Sequence, residues 1–204
     1  MSIFVTGTDT EVGKTVACAW LAVHFDMAYW KPVQCGLEDG TDVQTVQDLT
    51  EHGSGYFFPS AHILEDPLSP HEAARRAGIR IDLGDFQLPR SGRPLIVEGA
   101  GGVLVPLNET ELMTDLMAAL DLPVVLVCRS TLGTINHTLM SLRTLRGAGL
   151  RVNGAVLVGP KLPHNREAIE HYGKVSIIGE IPPLDELTRQ SLLAIEPEIN
   201  IQDC

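Results

Sequence analysis

Ile3-Phe4-Val5-Thr6-Gly7-Thr8-Asp9-Thr10-Glu11-Val12-Gly13-Lys14-Thr15 runs from an apolar triplet through a glycine-bounded loop into an amphipathic stretch. Strand, glycine loop, then helix is the setting of a phosphate-binding loop. Successive backbone N–H groups and the positive end of the helix cradle polyphosphate oxygens. Lys14 is placed to reach the β- and γ-phosphates, and the Thr15 hydroxyl to ligate Mg²⁺. Glu11, Val12, Gly13, Lys14, Thr15 and Val16 are therefore the expected nucleotide-binding positions. The spacing departs from the usual pattern: Gly7 lies one residue further upstream, and Thr8 stands where the first glycine usually does.

Four further observations extend this motif to a fold. The apolar runs at 3–5, 95–97, 124–127 and 155–158 lack polar alternation, as strands buried on both faces do. Shorter runs at 27–30 and 176–178 add two more strands. Between them, Val16, Trp20 and Val23 share a helical face, as do Val43 and Val46, and then Ile135, Leu139 and Leu142. Gly147-Ala148-Gly149 ends the last of these by supplying left-handed backbone. The alternation predicts an α/β fold of three layers, a parallel sheet with helices on both faces, as one P-loop domain over residues 1–204. The stretch 53–92 is the least readable, with a helix expected over 70–77. Ligands in such folds sit at the carboxyl ends of the strands, where the phosphate loop, Lys31, Glu98 and the loop after Val127 all fall.

Composition narrows the function classes. The formal charge of −11 repels nucleic acid, and no basic stripe offsets it, so no nucleic-acid partner is expected. An anionic nucleotide must then be captured locally by the loop, its lysine and a metal ion. No apolar run approaches the ~20 residues of a membrane helix, and no membrane partner is expected. Ile3-Phe4-Val5 enters a strand at once, which predicts a chain without a leader. Cys18, Cys35, Cys128 and Cys204 form no C-x-x-C pair, so reduced thiols in a cytoplasmic protein are expected. The seven histidines show no zinc spacing, and no serine stands in a nucleophile elbow.

Thr15, Asp42 and Glu98 form a candidate Mg²⁺ shell, since this ion takes hard oxygen donors and retains water. Glu98 ends the strand at 95–97, where nucleotide hydrolases place the second carboxylate of the metal site. Asp42 reads equally as a ligand or as part of a helix cap beside Thr41. Gly99-Ala100-Gly101-Gly102 allows close backbone approach to a ligand, or forms a turn. Lys31 ends the run at 27–30 and can address a γ-phosphate; spacing alone favours a surface lysine. Gly179-Glu180-Ile181-Pro182-Pro183-Leu184 follows a strand and can line a base pocket, or is a plain strand-to-helix turn.

Taken together, these pieces resemble the dethiobiotin synthetase family. Residues 4–15 resemble its phosphate loop, and Lys31-Pro32-Val33-Gln34-Cys35-Gly36 its K-P-V-x-S/T-G segment. Ser69-Pro70-His71 is similar to its S-P-H motif, and Val97-Glu98-Gly99-Ala100-Gly101-Gly102 matches its V-E-G-A-G-G. Leu132-Gly133-Thr134-Ile135-Asn136-His137 resembles its L-G-x-I-N-H, and Gly179-Glu180-Ile181-Pro182 its G-E-I-P. The resemblance implies ATP- and Mg²⁺-dependent conversion of 7,8-diaminopelargonic acid and CO₂ to dethiobiotin, through a carbamate and a carbamic-phosphoric anhydride, giving ADP and phosphate. It implies that Lys31 and Lys14 are catalytic and that Thr15, Asp42 and Glu98 hold the metal. Asp42, Glu98, Gly99, Ala100, Gly101, Val158, Gly159, Pro182, Pro183 and Leu184 join the phosphate loop around the nucleotide. Cys35, Gly133, Thr134 and Asn136 would contact substrate, the last three across a homodimer interface.

Three features depart from the family's pattern. Cys35 replaces a Ser or Thr and is a poorer donor. Val158-Gly159 stand where the family commonly has Asn-Asp, the Asn reading adenine, so weak base selectivity is expected. The segment 82–93 is short and proline-broken, and is expected to be a trimmed element far from the sheet edge. The alternative reading is a regulatory ATPase of the partition and cell-division type. Those proteins carry an extra lysine early in the loop, where this chain has Thr8 and Asp9.

Overall fold

Strand β1 (Ile3–Gly7) runs through the middle of the sheet in the computed structural model, which describes residues 1–38 and 40–201. After it come β2 (Ala28–Trp30), β3 (Val33–Cys35), β4 (Phe57–Phe58), β5 (His62–Leu64), β6 (Leu95–Gly102), β7 (Val124–Arg129), β8 (Val152–Val158) and β9 (Ile177–Ile181). Among the described residues the main sheet has seven strands in the order β4-β2-β6-β1-β7-β8-β9, all paired in parallel. β3 and β5 form a separate parallel pair, which the sequence pattern did not reveal.

The uninterrupted apolar runs are buried on both faces, and their alternate residues enter two different cores. Along β7, Val124, Leu126 and Cys128 join one cluster while Val125 and Val127 join the other. The first cluster includes residues of α3 (Pro70–Ala77), α4 (Met113–Leu120), α5 (Thr134–Gly147) and α6 (Pro163–Gly173). The second includes residues of α1 (Lys14–Phe25), α2 (Asp42–Thr50) and α7 (Arg189–Leu193). Helices therefore cover both faces, as the alternation predicts. Each large side chain removed from water in these layers contributes roughly 1.5–3 kcal/mol. No helix among the described residues is long and apolar enough to cross a membrane.

Local signals held where they were strong. The helix expected over 70–77 is α3, opened by Pro70 in its first turn and closed by Gly78 at φ 68°. At the end of α5 the N–H of Leu150 donates to Leu145 O and that of Gly149 to Arg146 O, both at 3.0 Å, with Gly149 at φ 75°. That is the paired closing geometry a left-handed glycine permits.

Two expectations are corrected. β6 does not end at Glu98: it continues through Gly102, which pairs with Gly7, so the glycine run is strand passing close beside the phosphate loop rather than a turn. The segment 82–93 is also not remote. Phe86 is buried in the core with its ring 5.7 Å from that of His62, and His62 Nε2 lies 2.9 Å from Asp85 Oδ2. One aromatic anchor holds the segment against β5, a contact that its prolines and glycines conceal in the sequence.

Candidate active site

The phosphate loop is shaped by two glycines. Gly13 takes φ 89°, and a Cβ there would lie 2.8 Å from Val158 Cγ1. Gly7 is needed for space: a Cβ would meet Val12 Cγ2 at 2.7 Å and Asp9 O at 2.9 Å. The loop leads directly into α1, whose first residues are Lys14 and Thr15. Lys14 folds back so that Nζ donates to Asp9 O at 2.9 Å. Arg129, at the end of β7, pairs with Asp9 at 2.9 Å and ties the loop to the neighbouring strand.

Two elements converge on Lys31. Nζ lies 2.7 Å from Asp42 Oδ2 at the start of α2, and 2.8 Å from Glu98 Oε1 in β6. It also donates to Gly99 O at 3.2 Å. The Thr15 hydroxyl donates to Asp42 Oδ1 at 2.8 Å and to Glu98 Oε1 at 3.2 Å. The capping role falls to Thr41, whose side chain accepts from Gln44 N, leaving the Asp42 carboxylate for the site. Gln34 fixes this arrangement from the side: Oε1 accepts from Asp42 N at 3.2 Å, and Nε2 donates to Cys35 O and Gly36 O. The surface reading of Lys31 is overturned, because its side chain is only 5% exposed.

Burial and charge work against each other here. For Lys31, burial lowers the proton affinity, but the Glu98 and Asp42 carboxylates outweigh it and hold the ammonium above its ordinary range. Burial raises Asp42, and Lys31 more than reverses this, keeping the carboxylate ionised. Lys14 is lowered, first by burial and then by the neighbouring Lys31 charge, against the pull of Glu98. Cys35 is pushed up to about 11 by burial, so its thiol is neutral. The buried Tyr29 phenol, also raised well above its usual value by burial and by Glu98, donates to Glu98 Oε2 at 2.9 Å.

Lys14, Thr15, Lys31, Gln34, Cys35, Asp42 and Glu98 line a cavity of about 850 Å³ at the carboxyl ends of the strands. Of the expected positions it brings together Glu11, Gly13, Lys14, Thr15, Val16, Lys31, Cys35, Asp42, Glu98, Ala100 and Gly101. Val12 and Gly99 lie behind this wall, Val12 beneath Gly7 and Gly99 through its carbonyl on Lys31. The lining does not include Val158, Gly159, Pro182, Pro183 or Leu184. Val158 packs against Gly13, Gly159 N donates to Ile181 O, and Leu184 packs on the core beneath α1. Gly133 and Asn136 are exposed and Thr134 is buried, all outside this cavity. The sequence reading missed Gln34 and Tyr29. Tyr29 had a usable signal, since it lies in β2 two residues before Lys31, at the end of the same apolar run.

Comparison with known proteins bears on the same chain. A family model described as an AAA domain matches residues 1–191. The chain is 52% identical over 195 residues to an ATP-dependent dethiobiotin synthetase BioD of Paramagnetospirillum magneticum, covering 96% of this chain and 94% of that protein. It is 46% identical over 190 residues to the synthetase of the same name from Nitrobacter hamburgensis, covering 93% and 90% respectively. A ParA family ATPase from Chlorobium tepidum TLS shares the fold, with a TM-score of 0.55 over 95% of this chain and 89% of that one. At 13% identity this last likeness concerns the fold alone. With near-complete coverage by the synthetases and the phosphate loop, Lys31, Asp42 and Glu98 gathered at one cavity, the chain belongs to the ATP-dependent dethiobiotin synthetase family.

Proposed function

We propose that this protein converts 7,8-diaminopelargonic acid, CO₂ and ATP to dethiobiotin, ADP and phosphate. The observation that carries the reading is the meeting of Lys14 and Lys31 in one cavity with Thr15, Asp42 and Glu98. One amine of the substrate takes up CO₂ as a carbamate, releasing a proton. A carbamate oxygen attacks the γ-phosphorus in line, and ADP leaves. The second amine then attacks the carbonyl carbon of the carbamic-phosphoric anhydride and expels phosphate, closing a cyclic urea. Little covalent work falls to the protein, and positioning and electrostatics dominate.

In this reading Lys31 holds the carbamate and then the transferring phosphoryl, while Lys14 neutralises charge developing on the phosphates. Thr15 Oγ1 lies within 2.8 Å of Asp42 Oδ1 and 3.2 Å of Glu98 Oε1, a cluster of hard oxygens that fits Mg²⁺. Those three residues would hold the ion, which would supply charge neutralisation at the phosphates. Ser69, Leu68 and Pro67 close the far end of the cavity, leaving room for an aliphatic diamine beside Cys35.

A homodimer completes the site in the same proposal. Leu132 is 98% exposed beside Gly133, Thr134 and Asn136, and α5 begins at Thr134, so the positive end of the helix suits a carboxylate. The partner subunit would receive the substrate carboxylate there. Val158 and Gly159, with Pro182, Pro183 and Leu184, would border the nucleoside, and the loss of an amide at residue 158 would leave base selectivity weak.

The test is incubation with 7,8-diaminopelargonate, bicarbonate, Mg²⁺ and ATP. Release of ADP that depends on the diamino acid, with dethiobiotin detected by mass spectrometry, is expected. ATP turnover indifferent to that substrate would refute the assignment. Substituting CTP or GTP for ATP tests the base pocket, and strict preference for ATP would count against the weak-selectivity reading.

A further inference from the structure

Tyr29 is 1% exposed and lies behind the cavity wall rather than in it. Its position follows from register. Tyr29 pairs with Ile96 across the parallel β2–β6 ladder, so Tyr29, Ile96 and Glu98 project from the same face of the sheet. The phenol donates to Glu98 Oε2 at 2.9 Å, while Glu98 Oε1 accepts from Lys31 Nζ at 2.8 Å and from Thr15 Oγ1 at 3.2 Å. The two oxygens are thus divided: one is held from behind by a buried hydroxyl, and the other is turned toward groups that line the cavity. The terminal torsion of a glutamate is otherwise broad. Donors behind a carboxylate ligand orient it at metal sites.

We propose that Tyr29 is a positioning residue, holding Glu98 in the orientation that binds the divalent cation accompanying the nucleotide. The proposal rests on the reading of Thr15, Asp42 and Glu98 as ligands of that cation. Tyr29 acts through Glu98 and stands outside the cavity, so its phenol oxygen can be removed without removing any group that lines the cavity.

The test is ADP affinity by calorimetry, once in EDTA and once in Mg²⁺; the ratio is the coupling between metal and nucleotide. For Tyr29→Phe the affinity in EDTA should stay near that of the unaltered protein. The coupling should fall by about tenfold, or to the level of Glu98→Gln, as loss of such a donor typically costs ~10- to 100-fold in metal affinity. Unchanged coupling overturns the proposal. So does an equal loss of affinity in EDTA and in Mg²⁺, the mark of a packing role. Glu98→Gln separates the two readings. If it leaves the coupling intact, the metal assignment itself fails; if it removes the coupling while Tyr29→Phe does not, only the role of Tyr29 fails. Tyr29→Phe added to Glu98→Gln should have no further effect, and a second loss of similar size overturns the proposal. Should Tyr29→Phe not fold, Tyr29→Met removes the hydroxyl with a more adaptable apolar side chain, and unchanged coupling again overturns the proposal.

Discussion

Lys31→Met keeps the length of a buried side chain and removes an ammonium lying 2.7 Å from Asp42 Oδ2 and 2.8 Å from Glu98 Oε1. The cost falls mainly on Glu98, whose side chain is 1% exposed, rather than on Asp42 at 30%. Breaking a buried ion pair from one side costs about 3–5 kcal/mol. Lys14 remains in the same cavity and attracts Glu98, which argues for the lower end of that range. For a domain of this size about 3 kcal/mol lowers Tm by roughly 6–12 °C. Thermal unfolding in EDTA without nucleotide reads this directly. Lys31→Met/Glu98→Gln should recover much of the loss, because neither charge is then left alone in the core. Catalysis should suffer more than binding. Loss of one group stabilising transition-state charge costs about 10²–10³-fold in turnover, while ATP affinity should change far less. A variant with unaltered Tm would refute the electrostatic account of the cavity, and one with unaltered turnover would refute the catalytic role.

Other perturbations read other parts of the site. Cys35, with its pKa near 11 against an ordinary 9.0, should be alkylated at pH 8 about 100-fold more slowly than a free thiol, the rate rising with pH as thiolate forms. Site-resolved mass spectrometry checks this, and reaction at the free-thiol rate would contradict the burial. Cys35→Ser should tighten diamino acid binding by a few-fold if the side chain donates to substrate, since a hydroxyl is the stronger donor; calorimetry showing no change would remove Cys35 from the contact set. Gly13→Ala should abolish measurable ADP binding, because it combines φ 89° with a Cβ 2.8 Å from Val158 Cγ1; wild-type affinity would refute the loop geometry. If the proposed homodimer forms, Leu132→Asp should shift sedimentation from dimer to monomer and weaken the diamino acid without weakening ADP. A dimer retained with normal substrate affinity would count against the shared site.

The phosphate loop, the central strands and α3 were legible because their signals are local. A glycine loop between an apolar triplet and a helix, runs without alternation, and proline and glycine at helix ends each report on a few neighbouring residues. β3 and β5 were not legible, being three residues each with no pattern that length can establish. Nor was the anchor at Phe86, whose partner His62 belongs to another element.

The sequence by itself determined the layered parallel architecture and the presence of a phosphate loop, since backbone sterics and burial on both faces of a strand act over short stretches of chain. It also supplied the lysine, the hydroxyl and the two carboxylates. Only the tertiary structure decided that Lys31 is buried, that Asp42 turns inward while Thr41 caps, and that Tyr29 holds Glu98 from behind. Lys31 and Glu98 are 67 residues apart along the chain and meet because β2 lies beside β6 in the sheet. The charge state and orientation of each group depend on what the other elements bring to it, and no local pattern encodes that.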